Sequence, residues 1–261
     1  RRCFFPLELL VAGQTGHPSQ QERPAMQTIL VINSKGGTGK TTLTTNIASY
    51  FASRNHKTAI MDYDPQGSSL HWLKIRSNDQ NAIYAANAAT QKGKLIRSLQ
   101  MYVPEHTEKL IIDAPAGVEG MLLQEMVRKT DFIVIPVTPS TIDIHATADF
   151  IRELLFRGGI RKQQTKIAVV ANRVRKTMRV YEPFERFLQG LSLPFLTRLS
   201  DSDRYILAVE KGSGIFDMDE TGVAAEREEF EPIVNWLDPG ADQQTARPSN
   251  VVNFGHLRIG G

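Results

Sequence analysis

The sequence predicts an α/β protein, a single doubly wound and mostly parallel sheet flanked by helices. Three observations predict it. Apolar runs of strand length at 28–32, 58–62, 110–113, 132–137 and 166–172 alternate with stretches of helical periodicity. The first run enters a glycine-rich turn that opens directly into a helix. Two others end in aspartate, and open parallel sheets bind their ligands at the C-terminal ends of the strands.

The first strand is Thr28-Ile29-Leu30-Val31-Ile32, and the turn behind it reads Asn33-Ser34-Lys35-Gly36-Gly37-Thr38-Gly39-Lys40-Thr41-Thr42. A strand, a glycine turn and a helix opening at Lys40–Thr42 are the context a phosphate-binding P-loop requires. Glycines let successive N–H groups turn toward phosphate oxygens, and the helix N-terminus adds its positive dipole end. Gly36, Gly37, Thr38, Gly39, Lys40, Thr41 and Thr42 are therefore the candidate nucleotide-binding residues. Lys40 would reach the β- and γ-phosphates, and the Thr41 hydroxyl would ligate Mg²⁺. The usual pattern asks for glycine at position 34, where this chain has Ser34, and it adds Lys35. The resulting K-G-G-x-G-K-T-T resembles the "deviant" Walker A motif of the ParA/MinD family of dimerising ATPases.

The helix after the turn spans 41–54, with Leu43, Ile47, Ala48 and Phe51 on one face. The second strand, 58–62, delivers Asp62-Tyr63-Asp64-Pro65-Gln66-Gly67-Ser68. By the resemblance this is the family's first switch: Asp64 orients the attacking water and Asp62 supports the Mg²⁺ shell. Read from the residues alone, the same stretch is also a strand ending in an Asx/Pro turn. A short helix over 68–75 carries Leu70, Trp72 and Leu73, with Trp72 expected as a core or interface anchor. The polar stretch 78–102 reads as a crossover between strands two and three.

The run Leu110-Ile111-Ile112-Asp113 has the Walker B pattern, in which Asp113 holds the Mg²⁺ directly or through water. The segment 115–120 resembles the second switch, although Asp-Ala-Pro-Ala-Gly stands where the family usually shows D-x-P-P. The next strand, 132–137, is apolar throughout, as burial on both faces requires. Ser140 or Thr141 can cap the helix that follows, which runs to about Arg157 and stops at Gly158-Gly159. The strand 166–172 ends at Asn172, which by the resemblance reads the adenine edge; an asparagine capping a strand–loop junction is the alternative.

Arg173, Arg175, Lys176 and Arg179 place four cations in seven residues. Such a loop either grips nucleic-acid phosphates without reading sequence or is simply a solvated positive loop. Relatives in the ParA branch bind nonspecific DNA through basic residues in this half, and Arg204 and Lys211 would extend such a patch. A short last strand over 193–196, a loop over 199–203 that could wall the base, and helices over 204–211 and 224–237 complete the reading.

A ParA-like domain is thus expected over 26–238. Residues 1–25, rich in Gln, Pro and Gly, are expected to be a disordered extension ahead of Met26, and 239–261 a flexible tail. Composition narrows the classes further. Formal net charge is +3, compatible with touching nucleic acid without demanding it. The single Cys3 excludes an internal disulfide framework and any multi-thiolate metal cluster within one chain, and fits a reducing cytoplasm. No run approaches the roughly 18 apolar residues that span a bilayer.

The resemblance implies an ATPase, slow and partner-stimulated, with ATP and Mg²⁺ as its cofactors. It implies a homodimer formed on ATP binding, nonspecific DNA binding at the nucleoid, and a ParB-like adaptor that stimulates hydrolysis while a cargo is partitioned or positioned. Lys35 would reach across the dimer to the partner's nucleotide, so Lys35, Lys40 and Asp64 form the expected catalytic set. The alternative is a MinD-like membrane-associated regulator of cell division or flagellar number. That branch needs an amphipathic C-terminal helix, and residues 251–261, with three glycines and one arginine, make a poor one, so no membrane partner is expected.

Overall fold

The computed structural model describes residues 26–88, 103–157, 160, 164–175, 177 and 179–240. The chain runs β1 (Gln27–Val31), α1 (Lys40–Ser53), β2 (Thr58–Asp62), α2 (Ser68–Ile75) and β3 (Ile83–Asn87). It continues through β4 (Lys109–Asp113), α3 (Gly120–Arg128), β5 (Phe132–Val137), α4 (Thr141–Arg157) and β6 (Lys166–Val174). The last elements are α5 (Tyr181–Gln189), β7 (Phe195–Ser200), α6 (Asp203–Glu210) and α7 (Glu220–Leu237). Seven strands form one sheet in the order β3-β2-β4-β1-β5-β6-β7. Every pair in it is parallel.

Strand side chains alternate between faces, so a buried parallel strand must be apolar on both. Along β1, Ile29 and Val31 join Leu43 and Ile47 of α1, Trp72 of α2, and Phe230, Ile233 and Val234 of α7. Leu30 and Ile32 face the other way, onto Leu123 and Val127 of α3, Leu154 of α4 and Phe184 of α5. Two apolar cores thus clamp one sheet, and the C-terminal edges of β1, β2, β4 and β6 meet along its upper rim. Trp72 is a core anchor, 1% exposed, whose indole N–H donates to the Ser213 carbonyl at 3.0 Å.

Five elements depart from the expected reading. The stretch 78–102 is not only a crossover, because Ile83–Asn87 adds an edge strand to β2; its remainder, 89–102, lies outside the described residues. Helices α3 and α5 were not foreseen; their inward faces are Leu123, Met126 and Val127 in α3, and Phe184 and Leu188 in α5. The last strand is Phe195–Ser200 rather than 193–196, so the loop expected to begin at Leu199 begins after Ser200. Helix α7 breaks at Val223 (φ −138°) and runs on from Ala224, the expected start. The extension at 1–25 and the tail from 241 lie outside the described residues.

Candidate functional site

The turn after β1 folds as a cradle. Gly37 (φ 78°) and Gly39 (φ 90°) lie in the left-handed region, which side chains other than glycine rarely enter. At Gly39 space forbids a side chain as well, since a Cβ there would stand 1.9 Å from Asn172 Nδ2. Helix α1 starts at Lys40 with Gly39 as its cap, no side-chain cap and no acidic residue in its first turn. Its first N–H groups therefore remain available for an anion.

Two asparagines brace the cradle from beneath. Asn33, fully buried, donates to the Pro136 carbonyl (2.8 Å) and to Thr147 Oγ1 (3.0 Å), and its Oδ1 accepts the Lys35 N–H (3.0 Å). Asn172 donates to the Thr38 carbonyl at 2.9 Å. Behind the loop, Gly117 N–H donates to the Ser34 carbonyl (2.8 Å), so the expected second switch lies against the cradle through Ala116 and Gly117.

The two lysines of the motif are placed differently. Lys40 is 7% exposed, and its Nζ donates to the Lys35 carbonyl at 2.8 Å. Burial pulls its pKa below the ordinary lysine value, against the opposing pull of Asp113 and Asp64. Lys35 is half-buried, and among the described residues its ammonium makes no ion pair.

Beside the cradle, Asp62 and Asp113 end neighbouring strands as register partners. Both are buried, at 0% and 1% exposure. Asp113 Oδ2 accepts from Thr41 Oγ1 at 2.9 Å, while its Oδ1 is buried without a partner. Burial, and then the Asp62 charge, push the Asp113 carboxyl up to about 7. A buried carboxylate pair with one orphaned oxygen and an adjacent threonine hydroxyl is the donor set a hard divalent cation takes, so the residues present fit Mg²⁺. Asp62 differs: Oδ1 accepts the Asp64 N–H (2.8 Å) and Oδ2 accepts from Ser69 Oγ (2.8 Å) and the Leu70 N–H (3.3 Å). It secures the loop that carries Asp64, which itself accepts the Gln66 N–H at 2.9 Å.

A cleft of about 240 Å³ opens on the far side of the cradle, lined by Thr42, Asn172, Arg173, Ser200–Ser202, Tyr205 and Ile206 among others. Two carboxylates of α7 hold its loop, Glu229 accepting from Ser200 N–H and Oγ (2.8 and 2.9 Å) and Glu226 from Ser202 Oγ (2.6 Å). Arg173 has φ 55° at a break in the β6–β7 register, which turns Asn172 inward and leaves Arg173 exposed. Of the remaining basic residues, Arg175 pairs with Asp201 and Arg179 is exposed, while Lys176 lies outside the described residues. Arg173 thus lines this cleft, and Arg175 reaches its edge through Asp201.

The structure brings Lys40, Thr41, Asp62, Asp113 and Asn172 together, with Lys35 and Asp64 at the rim. Sequence reasoning passed over Ser69, Glu226 and Glu229, and the buried Arg76–Asp217 pair (2.7 and 2.8 Å) that ties the end of α2 to the loop before α7. None of these carries a local signal: apart from the Ser69–Asp62 contact, seven residues apart, their partners lie 24 or more positions away in the chain.

Comparison with known proteins agrees with this geometry. Residues 29–215 match the family model described as the CobQ/CobB/MinD/ParA nucleotide binding domain. The maintenance of carboxysome distribution protein A of Halothiobacillus neapolitanus is 28% identical over 213 residues, 81% of this chain and 96% of that protein. The chromosome partitioning protein ParA of Myxococcus xanthus is 30% identical over 117 residues, 44% of this chain and 31% of that protein. Among solved structures, the MinD cell division protein of Aquifex aeolicus superposes with a TM-score of 0.63 at 18% identity, covering 86% of this chain and 99% of that one. An ATP complex of a Cyanothece McdA variant gives 0.59 at 15% identity, covering 82% and 95%.

Proposed function

The chain belongs to the CobQ/CobB/MinD/ParA nucleotide-binding family, and on that premise we propose that it is an ATPase switch: it dimerises around ATP, binds DNA nonspecifically and positions a cargo. The observation that carries this reading is the unequal placement of the two lysines. Lys40 is folded into the cradle, whereas Lys35 stands at the rim with its ammonium uncommitted among the described residues. A cation at that rim can serve a triphosphate held by a second copy, in the manner of an arginine finger supplied in trans. Dimerisation would then depend on the γ-phosphate, and hydrolysis would end it.

The chain's own groups divide the work. Backbone N–H groups of 36–42 and Lys40 bind and orient the phosphates. Asp113 and Thr41, with Asp62 behind them, would hold Mg²⁺, which when bound neutralises charge on the β- and γ-phosphate oxygens. Asp64 orients the attacking water. The cleft beside Asn172 takes the base, with Ile206 offering an apolar wall and Asn172 the polar edge. Exposed Arg173 and Arg179, with Arg175 and Lys176, supply a DNA contact close to the nucleotide, so that binding of one is felt by the other. Relatives named for carboxysome distribution and chromosome partitioning support cargo positioning as the task, performed at the nucleoid with an adaptor that stimulates hydrolysis. Among the described residues, no helix is long and apolar enough to cross a membrane.

The test is retention of DNA with ATP, with ADP and without nucleotide, at two salt concentrations. ATP-dependent retention that weakens steeply with salt supports the reading. Retention on anionic liposomes instead of DNA would move the chain to the MinD-like branch. By light scattering, Lys35→Ala should stay monomeric with ATP and Asp64→Ala should accumulate as dimer. A Lys35→Ala protein that dimerises normally would remove the crossing role.

A further inference from the structure

Ser69 belongs to none of the motifs, yet its hydroxyl sits between the two acids of the site. The residue is fully buried. Its Oγ lies 2.8 Å from Asp62 Oδ2 and 3.0 Å from Asp113 Oδ2. Those carboxylates end adjacent strands in register, so a short side chain from a third element reaches both. Gly67, in the left-handed region (φ 62°), turns the chain into α2 and so presents Ser69 inward.

The contact fixes more than a distance. Asp62 has both oxygens taken by donors from 64–70. Asp113 has Oδ2 taken by Thr41 and Ser69, while Oδ1 is buried and unpaired. The one hydrogen of the Ser69 hydroxyl is shared between the two carboxylate oxygens, and with the Thr41 hydroxyl it holds one Asp113 oxygen, so tilting that carboxylate breaks both contacts. The other oxygen, Oδ1, is left for a cation.

We propose that Ser69 is a positioning residue of the Mg²⁺ site: by bridging Asp62 and Asp113 it locks the Asp113 carboxylate with Oδ1 available to a divalent cation, and it anchors α2 to that carboxylate. The inference rests on the reading of the chain as a Mg²⁺-dependent nucleotide-binding protein. It differs from a packing role, because alanine fills almost the same space and lacks only the donor.

The experiment titrates a fluorescent ATP analogue, mant-ATP, against the full chain, first in EDTA and then with increasing Mg²⁺. Ser69→Ala should bind mant-ATP in EDTA within about twofold of wild type, because the phosphate cradle does not use the hydroxyl. Its Mg²⁺ midpoint should rise about tenfold or more, the usual loss when an outer-shell hydrogen bond to a metal ligand is removed. Ser69→Cys, with a weaker donor of similar size, should shift the midpoint in the same direction and carries the test alone if the alanine variant does not fold. An unchanged midpoint in the folded variants, or equal losses with and without Mg²⁺, overturns the assignment and leaves the nucleotide reading standing. Failure of wild type to bind mant-ATP in either condition overturns both.

Discussion

Replacing Gly39 by alanine tests the cradle's construction, and its cost can be worked from two separate sources. The backbone source is φ 90°, a left-handed conformation that charges an L residue about 1–2 kcal/mol. The steric source is the 1.9 Å approach of the new Cβ to Asn172 Nδ2. Asn172 must withdraw, which breaks its 2.9 Å bond to the Thr38 carbonyl and loses about 1 kcal/mol, with roughly as much again for repacking a buried amide. The sum is about 3–4 kcal/mol, or a fall in Tm of roughly 6–16 °C for a domain of this size. A double-mutant cycle separates the sources. In an Asn172→Ala background the obstruction is gone, so Gly39→Ala should cost only the backbone share, leaving a coupling of about 2 kcal/mol. Urea denaturation of the four proteins, fitted with a common m-value, measures it. Additivity within about 0.5 kcal/mol would refute the claim that Asn172 is the brace Gly39 makes room for.

Other perturbations follow from contacts already described. Arg76→Met strands Asp217, whose side chain is 5% exposed, and should lower the unfolding free energy by about 3–5 kcal/mol in urea, because one buried charge is left unpaired. His56 donates toward Glu108 at 3.0 Å and holds its carboxyl below the ordinary value. A depressed folded pKa stabilises above the unfolded carboxylate pKa and is lost as pH falls through the folded one. Urea midpoints should therefore drop in that acid window, and Glu108→Gln should lower the midpoint slightly at neutral pH and flatten the drop. Met121→Asp, at a side chain 83% exposed, should change the unfolding free energy by no more than about 0.5 kcal/mol, which a urea series reads directly.

The first half of the chain was the more legible, and for a physical reason. A phosphate cradle is made of backbone, so it demands particular residues at particular spacings: Gly39 and Lys40 announce themselves. The carboxylates at Asp62 and Asp113 are legible because strand ends and sites coincide in parallel sheets. What stayed hidden was held by partners distant in sequence. β3 was missed because Ile83-Tyr84-Ala85-Ala86-Asn87 is an edge strand, with Tyr84 47% exposed and Ala85 exposed beside the buried Ala86. It therefore lacks the continuous apolar signature. α5 has an inward pair, Phe184 and Leu188, one turn apart, but Pro183 and a polar remainder obscure the period. Ser69 could not be found at all, because its role exists only once β2 and β4 lie side by side. Asn172 is expected from the sequence to read the base; what the structure shows it doing is bracing Thr38, a contact that no local pattern encodes.

The asparagine braces carry an implication for how the protein is born. Asn33 reaches Pro136 and Thr147, 103 and 114 positions downstream, and Thr38 waits for Asn172, 134 positions on. A ribosome that has released only the first half of the chain has exposed every residue of the loop after β1, and Gly117 behind it, but none of the groups that the asparagine braces join it to. Competence to hold a triphosphate must then arrive late in synthesis, when β6 docks, and a truncated N-terminal fragment should be as blind to nucleotide as the nascent chain.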